Sequence, residues 1–344
     1  MAPATCGPVR VRVPATSANL GPGFDAFGLA LTHYDELTVT PGGTGVTVEV
    51  TGPGEGEVPL DESHLVVRSI HAALESLGAS VPGFTLQCEN AIPHGRGLGS
   101  SSAAIVGGIA AAYGLTGTPI DRDQVVALAN EIEGHPDNVA ASALGGFTIA
   151  WTDGTGRAIR LEPVADLSVV AYVPSTRVLT KEARGLLPSE VPHADAAANA
   201  GRAALLVAAL TARPELLMTA TEDRLHQEYR EAAMPESLAL VHKLRASGLP
   251  AVISGAGPTV LVLGGPPEGL APDSVDEEDL SRPPVTAQDE EPGGFPPAPD
   301  GWRRFELGID PLGVQVWSAD AEQLIAEGGN ERSRTRVEPL EAAD

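Results

Sequence analysis

The chain has 344 residues and a formal net charge of −24 at pH 7, and this length exceeds what one hydrophobic core usually serves, so we expect two domains. The acidic balance argues against a nucleic-acid partner, because binding to a phosphate backbone needs a basic surface. Cys6 and Cys88 are too few for a disulfide framework and no apolar run reaches ~18 residues, so we expect a cytoplasmic protein with no membrane partner.

The hydrophobic periodicity alternates between strand and helix along the chain. In the first half it predicts strands at 9–13, 36–40 and 46–50, a helix at 63–77, a strand at 84–88, helices at 104–112 and 124–133, and a strand pair at 146–150 and 158–161. In the second half it predicts a strand at 167–173, helices at 194–211 and 236–247, and strand pairs at 250–253/259–263 and 303–309/313–317. This mixture predicts an α+β fold in two lobes, residues 1–165 and residues 166–318.

Two segments have the composition of disordered chain. Residues 266–300 carry ten acidic residues against Arg282 alone, with nine prolines and little hydrophobic periodicity. This composition favours a solvated, disordered insertion in the second lobe over an acidic recruiting segment. Residues 319–344 are polar and are predicted to form a flexible tail.

The most informative stretch is a glycine- and serine-rich run between the strand at 84–88 and the helix at 104–112. It reads Pro93-His94-Gly95-Arg96-Gly97-Leu98-Gly99-Ser100-Ser101-Ser102-Ala103. Glycines let the backbone approach a ligand closely, and the unpaired N–H groups at a helix start favour an anion. The run lacks the lysine of a P-loop and is not placed like a dinucleotide fingerprint. It therefore predicts a phosphate-binding loop of another kind, with a plain surface linker as the alternative.

Three further segments accompany this loop along the chain. They are PATSANLGPGFDAFG at 14–28, EIEGHPDNVA at 131–140 and SGAGPT at 254–259. In this order the four segments resemble the GHMP small-molecule kinases. The segments at 14–28 and 131–140 are most similar to the homoserine kinases of that family, because galactokinases and mevalonate kinases carry a different first segment.

The resemblance implies a fold, a reaction and a set of ligands. The fold is the two-lobed GHMP kinase fold, with a ribosomal S5 domain 2-like first lobe and a ferredoxin-like second lobe. The reaction is the ATP-dependent, Mg²⁺-assisted phosphorylation of the L-homoserine hydroxyl to O-phospho-L-homoserine in threonine biosynthesis. The alternatives are a GHMP kinase for another small alcohol and a catalytically silent nucleotide- or amino-acid-binding regulator. A homodimer is left open.

The resemblance also assigns the phosphate-binding and metal-binding residues. Pro93 to Ala103 are expected to bind ATP. Ser101 and Glu131 are expected to hold Mg²⁺, which prefers hard oxygen ligands, and Glu133 is the rival of Glu131. The family often has asparagine near the adenine where this chain has His64, so the adenine contacts stay open.

For the amino-acid substrate, the resemblance places Asn19 and Asp25 at the ammonium group and Arg184 and Arg230 at the carboxylate. This division suits the chemistry, because aspartate supplies a counter-charge and arginine a planar fork that matches a carboxylate. Gly257 of the last segment is also placed at the substrate. The candidate catalytic residues near the hydroxyl are His135, Asp137 and Asn138. Whether His135 acts as a base or Asn138 only orients the hydroxyl stays open.

Overall fold

The computed structural model describes residues 2–3, 7–165, 167–264 and 295–318. Most of the predicted insertion and the whole of the predicted tail at 319–344 therefore lie outside the described residues. Within them, no helix is both long enough and apolar enough to cross a membrane.

Strands and helices alternate as the α+β prediction requires. The described strands are β1 (Ala2–Pro3), β2 (Val9–Asn19), β3 (Gly23–Pro41), β4 (Gly45–Thr51), β5 (Ala79–Ser80), β6 (Gly83–Glu89), β7 (Phe147–Asp153), β8 (Thr155–Leu161), β9 (Ser168–Pro174), β10 (Ala251–Ile253), β11 (Val260–Gly264), β12 (Trp302–Leu307) and β13 (Gln315–Ser318). The described α-helices are α1 (Leu65–Ser76), α2 (Ser100–Thr116), α3 (Arg122–Glu133), α4 (Asp137–Leu144), α5 (Thr180–Gly185), α6 (His193–Thr211), α7 (Leu217–Ala220) and α8 (Pro235–Ala246). Two short 3₁₀ helices lie at Pro214–Leu216 and Glu228–Ala233.

The chain divides into two compact units. Of the described residues, the first unit holds those up to 19, those at 25–162 and those at 310–318; the second holds 20–24 and those at 163–309. The break after residue 162 falls close to the lobe boundary expected after residue 165. Two segments depart from that expectation, since 20–24 belongs to the second unit and 310–318 to the first.

The first unit is built on a sheet in the order β13-β2-β3-β6-β4, with β7 paired to β3 and β8 paired to β7. Helix α2 packs against both β2 and α1. Its glycines allow this close approach, because a Cβ atom at Gly107 would lie 2.6 Å from Leu37 and one at Gly108 would lie 2.6 Å from the Val66 carbonyl oxygen. A helix that is apolar on every side must be buried. The helix predicted at 104–112 is therefore part of α2 and lies in the core.

The pairing predicted between 303–309 and 313–317 is wrong. Strand β12 instead pairs antiparallel with β9 in the second unit, and β13 pairs antiparallel with β2 in the first. The side chain of Asp310 explains the change of direction between them, because it accepts hydrogen bonds from the N–H groups of Leu312 and Gly313 at 3.0 and 2.6 Å. The turn at 310–313 therefore leads β13 to the first unit, which explains why 310–318 does not belong to the second lobe.

The second unit contains a four-stranded sheet in the order β10-β11-β9-β12. Buried side chains of β9, α8, β10 and β11 form its core. Phe295 and Ala298 pack against this core, and the Tyr172 hydroxyl donates to the carbonyl oxygen of Pro296 at 2.7 Å. The predicted disordered insertion therefore extends too far, because its last residues, 295–300, hold defined contacts. The apolar Phe295 supplies part of these contacts.

Candidate active site

The phosphate loop of residues 93–99 runs directly into α2. Gly99 precedes the first turn with a φ of 72°, a left-handed conformation that side chains with a Cβ atom rarely adopt. A Cβ atom there would also lie 2.0 Å from Thr16 Oγ1, so this position requires glycine. Among the described residues, no side chain caps α2. Its first turn therefore presents backbone N–H groups in the arrangement that binds anions at helix N-termini.

Two loop serines lie beside a carboxylate at the end of α3. Ser101 Oγ donates to Glu133 Oε1 at 2.6 Å, and Ser102 Oγ lies 3.4 Å from the same oxygen. Glu131, by contrast, is exposed. Of the two glutamates that were predicted as metal ligands, Glu133 is therefore the one that the fold brings to Ser101, and a hydroxyl and a carboxylate at this spacing suit Mg²⁺.

Thr16, a residue that was not predicted as part of the site, links the first motif to two others. It is fully buried, and its N–H donates to the carbonyl oxygen of Leu98 at 3.1 Å. Its hydroxyl donates to Asn138 Oδ1 at 2.9 Å. The sequence signal was available, since Thr16 is a polar residue in a motif that follows a buried strand pattern. The phosphate loop and the predicted hydroxyl-binding amide are thus brought together.

The middle motif places its three candidate catalytic residues at the start of α4. Asp137 is 2% exposed, and its Oδ1 accepts from the N–H of Asn138 at 2.7 Å. The same oxygen lies 3.4 Å from Asn138 Nδ2 and 3.3 Å from His135 Nδ1. His135, Asp137 and Asn138 therefore form one cluster, as expected, with the carboxylate at its centre.

The predicted ammonium-binding residues also lie together. Asn19 Oδ1 accepts from the N–H of Asp25 at 2.9 Å, and both residues belong to the first unit. Asn19, Leu20 and Asp25 all have left-handed φ values, at 69°, 51° and 55°. Backbone strain of this kind is concentrated at ligand-binding sites, because the surrounding structure must maintain it.

The two arginines that are predicted to bind the substrate carboxylate both lie beside one aromatic ring in the second unit. The Cζ atom of Arg184, on α5, lies 5.5 Å from the centre of the Phe24 ring, and that of Arg230 lies 5.4 Å from it. Arg230 is 1% exposed and donates to the Gly255 carbonyl oxygen at 3.1 Å. Two guanidinium groups beside one ring form a site suited to an anion with an apolar edge.

Gly257 and His226 complete the cluster of the second unit. Gly257 closes the turn of the last motif, where its N–H donates to the Ser254 carbonyl oxygen at 2.9 Å. Gly257 has a φ of 84°, a left-handed conformation that favours glycine, and a Cβ atom there would also lie 2.5 Å from Met234 Sδ. His226, which was not predicted as a site residue, stacks on Phe24 with ring centres 5.0 Å apart.

A cavity of about 290 Å³ opens beside the start of α2, and its lining residues all belong to the first unit. Leu65 and Val66 line it together with His64 and His94. His64 is 6% exposed, and its Nδ1 has no hydrogen-bond partner among the described residues. Burial and the neighbouring His94 lower the pKa of His64. A largely apolar cavity with one neutral imidazole, next to a phosphate-binding loop, suits a nucleotide base.

Comparisons with known proteins agree with this geometry. The family model of the GHMP kinases N terminal domain matches residues 64–146, and that of the GHMP kinases C terminal matches residues 199–277. Homoserine kinase from Streptomyces avermitilis is 54% identical over 312 residues, which cover 90% of this chain and 95% of that protein. Homoserine kinase from Streptomyces coelicolor is 61% identical over 259 residues, which cover 74% of this chain and 84% of that protein.

Solved structures extend the likeness to the whole fold. The crystal structure of homoserine kinase from Cytophaga hutchinsonii aligns with a TM-score of 0.74 at 25% identity and covers 90% of this chain and 97% of its own. A mevalonate kinase structure aligns with a TM-score of 0.58 at 13% identity, which shows the shared fold. The predicted α+β GHMP kinase fold is confirmed, and the chain belongs to the homoserine kinases of the GHMP kinase family.

Proposed function

We propose that this chain transfers the γ-phosphoryl group of ATP to the side-chain hydroxyl of L-homoserine, which yields ADP and O-phospho-L-homoserine for threonine biosynthesis. The observation that carries the proposal is the position of Thr16, whose backbone contacts the phosphate loop and whose hydroxyl contacts Asn138. A phosphoryl donor site and an amide able to orient an alcohol are therefore adjacent within one unit. Family membership supplies the substrate class.

In the proposed step, the hydroxyl oxygen of homoserine forms a bond to the γ-phosphorus. The bond from that phosphorus to the β–γ bridging oxygen breaks, its electron pair leaves with ADP, and the hydroxyl proton ends in solvent. Such a transfer depends on positioning and charge stabilisation more than on covalent help from the protein. The N–H groups at the start of α2 supply part of that stabilisation without any lysine in the loop.

Ser101 and Glu133 would hold Mg²⁺, because Ser101 Oγ and Glu133 Oε1 lie 2.6 Å apart at the start of the phosphate-binding helix. When bound, the ion supplies positive charge that neutralises the phosphate oxygens during transfer. The carboxylate of Glu133 also accepts a hydrogen bond from the Ser102 hydroxyl. Both serines therefore fix the orientation of Glu133.

Asn138 orients the acceptor hydroxyl in this proposal, because an amide does not accept a proton at neutral pH. Asp137 holds that amide in place, and its oxygen is already engaged by Asn138 and by the nearby His135. His135 and Asp137 are thus positioning residues for Asn138.

Asn138→Asp tests this assignment against a missing base. The variant would set a second carboxylate beside Asp137, so we expect kcat to fall by about 100-fold, the scale for losing one catalytic hydrogen-bond donor. Steady-state kinetics with homoserine, together with thermal unfolding to verify the fold, give the measurement. A gain in kcat would instead show that a proton acceptor limits the enzyme.

Arg184 and Arg230 bind the carboxylate of homoserine in this proposal, and Asn19 with Asp25 meets its ammonium group. An assay of ADP release with homoserine, serine, mevalonate and galactose tests the substrate. We expect kcat/KM for homoserine to exceed each of the others by more than about 100-fold, because losing matched polar partners in a built site is that costly. Preference for mevalonate or galactose would identify a kinase for another alcohol, and no turnover of any would favour the silent regulator.

The proposal also covers the cellular location, the partners and the oligomeric state of the enzyme. We place it in the cytoplasm, without nucleic-acid or membrane partners. A homodimer is a prediction that light scattering of the purified full chain tests directly.

A further inference from the structure

His226 lies between two groups of the second unit. The side chain is fully buried. Its Nε2 lies 2.7 Å from the Gly21 carbonyl oxygen, and its Nδ1 lies 3.1 Å from Nη1 of Arg230. The ring also stacks on Phe24, at an angle of 28°. The imidazole of His226 therefore connects the 20–24 segment of the first motif to Arg230, which is predicted to bind the substrate carboxylate.

The partners determine which ring nitrogen carries the proton. A carbonyl oxygen only accepts, so Nε2 must donate to Gly21. A guanidinium group only donates, so Nδ1 must be unprotonated to accept from Arg230. His226 is therefore the neutral tautomer with its proton on Nε2, and the two contacts together require that state.

The surrounding turn holds the imidazole in this place. The carboxylate of Asp223 accepts from the N–H groups of Leu225, His226 and Gln227 at 2.9, 3.1 and 2.8 Å. The Asp223 side chain is fully buried, and its charge faces these three donors and the Nε2–H group of His226, whose nitrogen lies 3.7 Å from Asp223 Oδ1. These hydrogen bonds fix the backbone at 223–227, which directly precedes the 3₁₀ helix that carries Arg230.

We propose that His226 is a positioning residue that fixes the guanidinium of Arg230 for the carboxylate of the substrate. The inference rests on the proposed function, which gives Arg230 that carboxylate. The imidazole nitrogen and the Gly255 carbonyl oxygen are both uncharged acceptors, so they orient the guanidinium without neutralising its charge. A carboxylate in place of His226 would compete with the substrate for the same cation.

Two variants of similar polarity separate the two contacts of His226. The amide of His226→Asn places an acceptor near the position of Nδ1, so it retains the bond from Arg230. The longer amide of His226→Gln reaches the position of Nε2, so it retains the bond to Gly21 and gives up the one from Arg230. His226→Leu removes both, and His242→Leu is the control, since His242 is an exposed histidine of the same unit.

The measurement is the ratio of kcat/KM for L-homoserine to that for L-homoserine amide, whose side chain and ammonium are the same but whose carboxylate is neutralised. We expect wild type, His226→Asn and His242→Leu to share a high ratio. We expect His226→Gln and His226→Leu to lower it by about 10- to 100-fold, the range for a hydrogen bond to a charged group. The KM for ATP should change little in every variant.

Each other outcome overturns a different statement. If His226→Gln and His226→Leu reduce turnover of homoserine and its amide equally, His226 only supports the fold and the inference is wrong. If His226→Asn loses the preference while His226→Gln keeps it, the contact with Gly21 is the one that matters. Arg230→Ala serves as the reference, because retention of the carboxylate preference in that variant would contradict the assignment of Arg230 to the substrate carboxylate, whereas turnover of homoserine would still support the proposed reaction.

Discussion

At the scale of single residues, buried polar side chains hold the parts of the site together, and Thr16 is the first example. Thr16→Val removes its hydroxyl at nearly constant shape, so Asn138 Oδ1 loses the donor at 2.9 Å. We expect kcat to fall by about 10-fold, the upper range for one neutral hydrogen bond, while Thr16→Ser stays near wild type. Steady-state kinetics of both variants give the comparison. A Thr16→Val variant near wild type, with Thr16→Ser impaired, would mean that packing of the methyl group, and not the hydroxyl, matters.

Asp35 carries a pH dependence of stability. Burial raises the pKa of Asp35 to about 6, although the N–H groups of Ala91 and Ile92 donate to it. The unfolded chain therefore releases this proton at lower pH than the folded chain. As pH rises from the ordinary pKa of 3.8 to about 6, the free energy of unfolding decreases. Relative to Asp35→Asn, wild type should lose about 3 kcal/mol of unfolding free energy across this window.

Urea denaturation of both proteins at several pH values measures this difference. The exposed Asp61 provides a control of opposite sign, because hydrogen bonds from Ser63 lower the pKa of its carboxyl. Wild type should gain stability relative to Asp61→Asn as pH rises. A flat difference between wild type and Asp35→Asn from pH 4 to 7 would contradict the assignment of a protonated, buried carboxyl.

At the scale of elements, helix geometry distinguishes the two glutamates of α3. Residues two apart on a helix point about 200° away from each other, so Glu131 and Glu133 cannot both face Ser101. Only Glu133 makes that contact. Glu133→Gln should therefore raise the Mg²⁺ concentration needed for half-maximal activity by at least about 10-fold and lower kcat, because it removes the charged ligand. Glu131→Gln should change neither quantity.

A titration of activity with Mg²⁺ at saturating ATP and homoserine measures both variants. The reverse result, with Glu131→Gln impaired and Glu133→Gln normal, would restore the residue that the sequence resemblance favoured. Sequence alone could not decide between them, because the helix phase at its last turn depends on where α3 ends. The structure places that end at Glu133.

Elements with strong local signals could be predicted from the sequence. The helix predicted at 124–133 is confirmed as α3, and the Asp121 carboxylate caps its start by accepting from the N–H groups of Asp123 and Gln124. The pairs β7–β8 and β10–β11 are also confirmed, since neighbouring strands joined by a short turn usually pair. The partner of β13 could not be predicted, because the hydrophobic alternation of a strand does not specify a distant partner.

At the scale of the whole chain, the candidate site shows the same division between local and distant information. The phosphate loop and Asn138 could be found in contiguous motifs. Thr16 lay within a motif, but its role depends on a contact with a residue 122 positions away in sequence. A motif supplies the residue types, and only the fold shows which hydroxyl meets which amide.

The turn that precedes β13 gives the last prediction at this scale. Tyr34 donates to Asp310 Oδ2 at 2.9 Å across 276 residues of sequence, while Arg12 lies 3.7 Å from the centre of its ring. Asp310 is 2% exposed, so Tyr34→Phe would leave a buried carboxyl with one fewer donor. We expect a loss of about 2 kcal/mol in unfolding free energy, the cost of an unsatisfied buried polar group.

Urea denaturation of the full chain measures this loss, with Tyr113→Phe as the matched control. Tyr113 is buried, but the structure gives its hydroxyl no hydrogen bond among the described residues, so its removal should change stability by less than about 0.5 kcal/mol. The hydrogen bond between Tyr34 and Asp310 connects β3 to the turn before β13 and involves no candidate site residue. Tyr34→Phe should therefore keep the wild-type KM for homoserine at temperatures where the variant is folded. Equal stability of the two phenylalanine variants would mean that pairing of β13 with β2 alone holds β13 in the sheet.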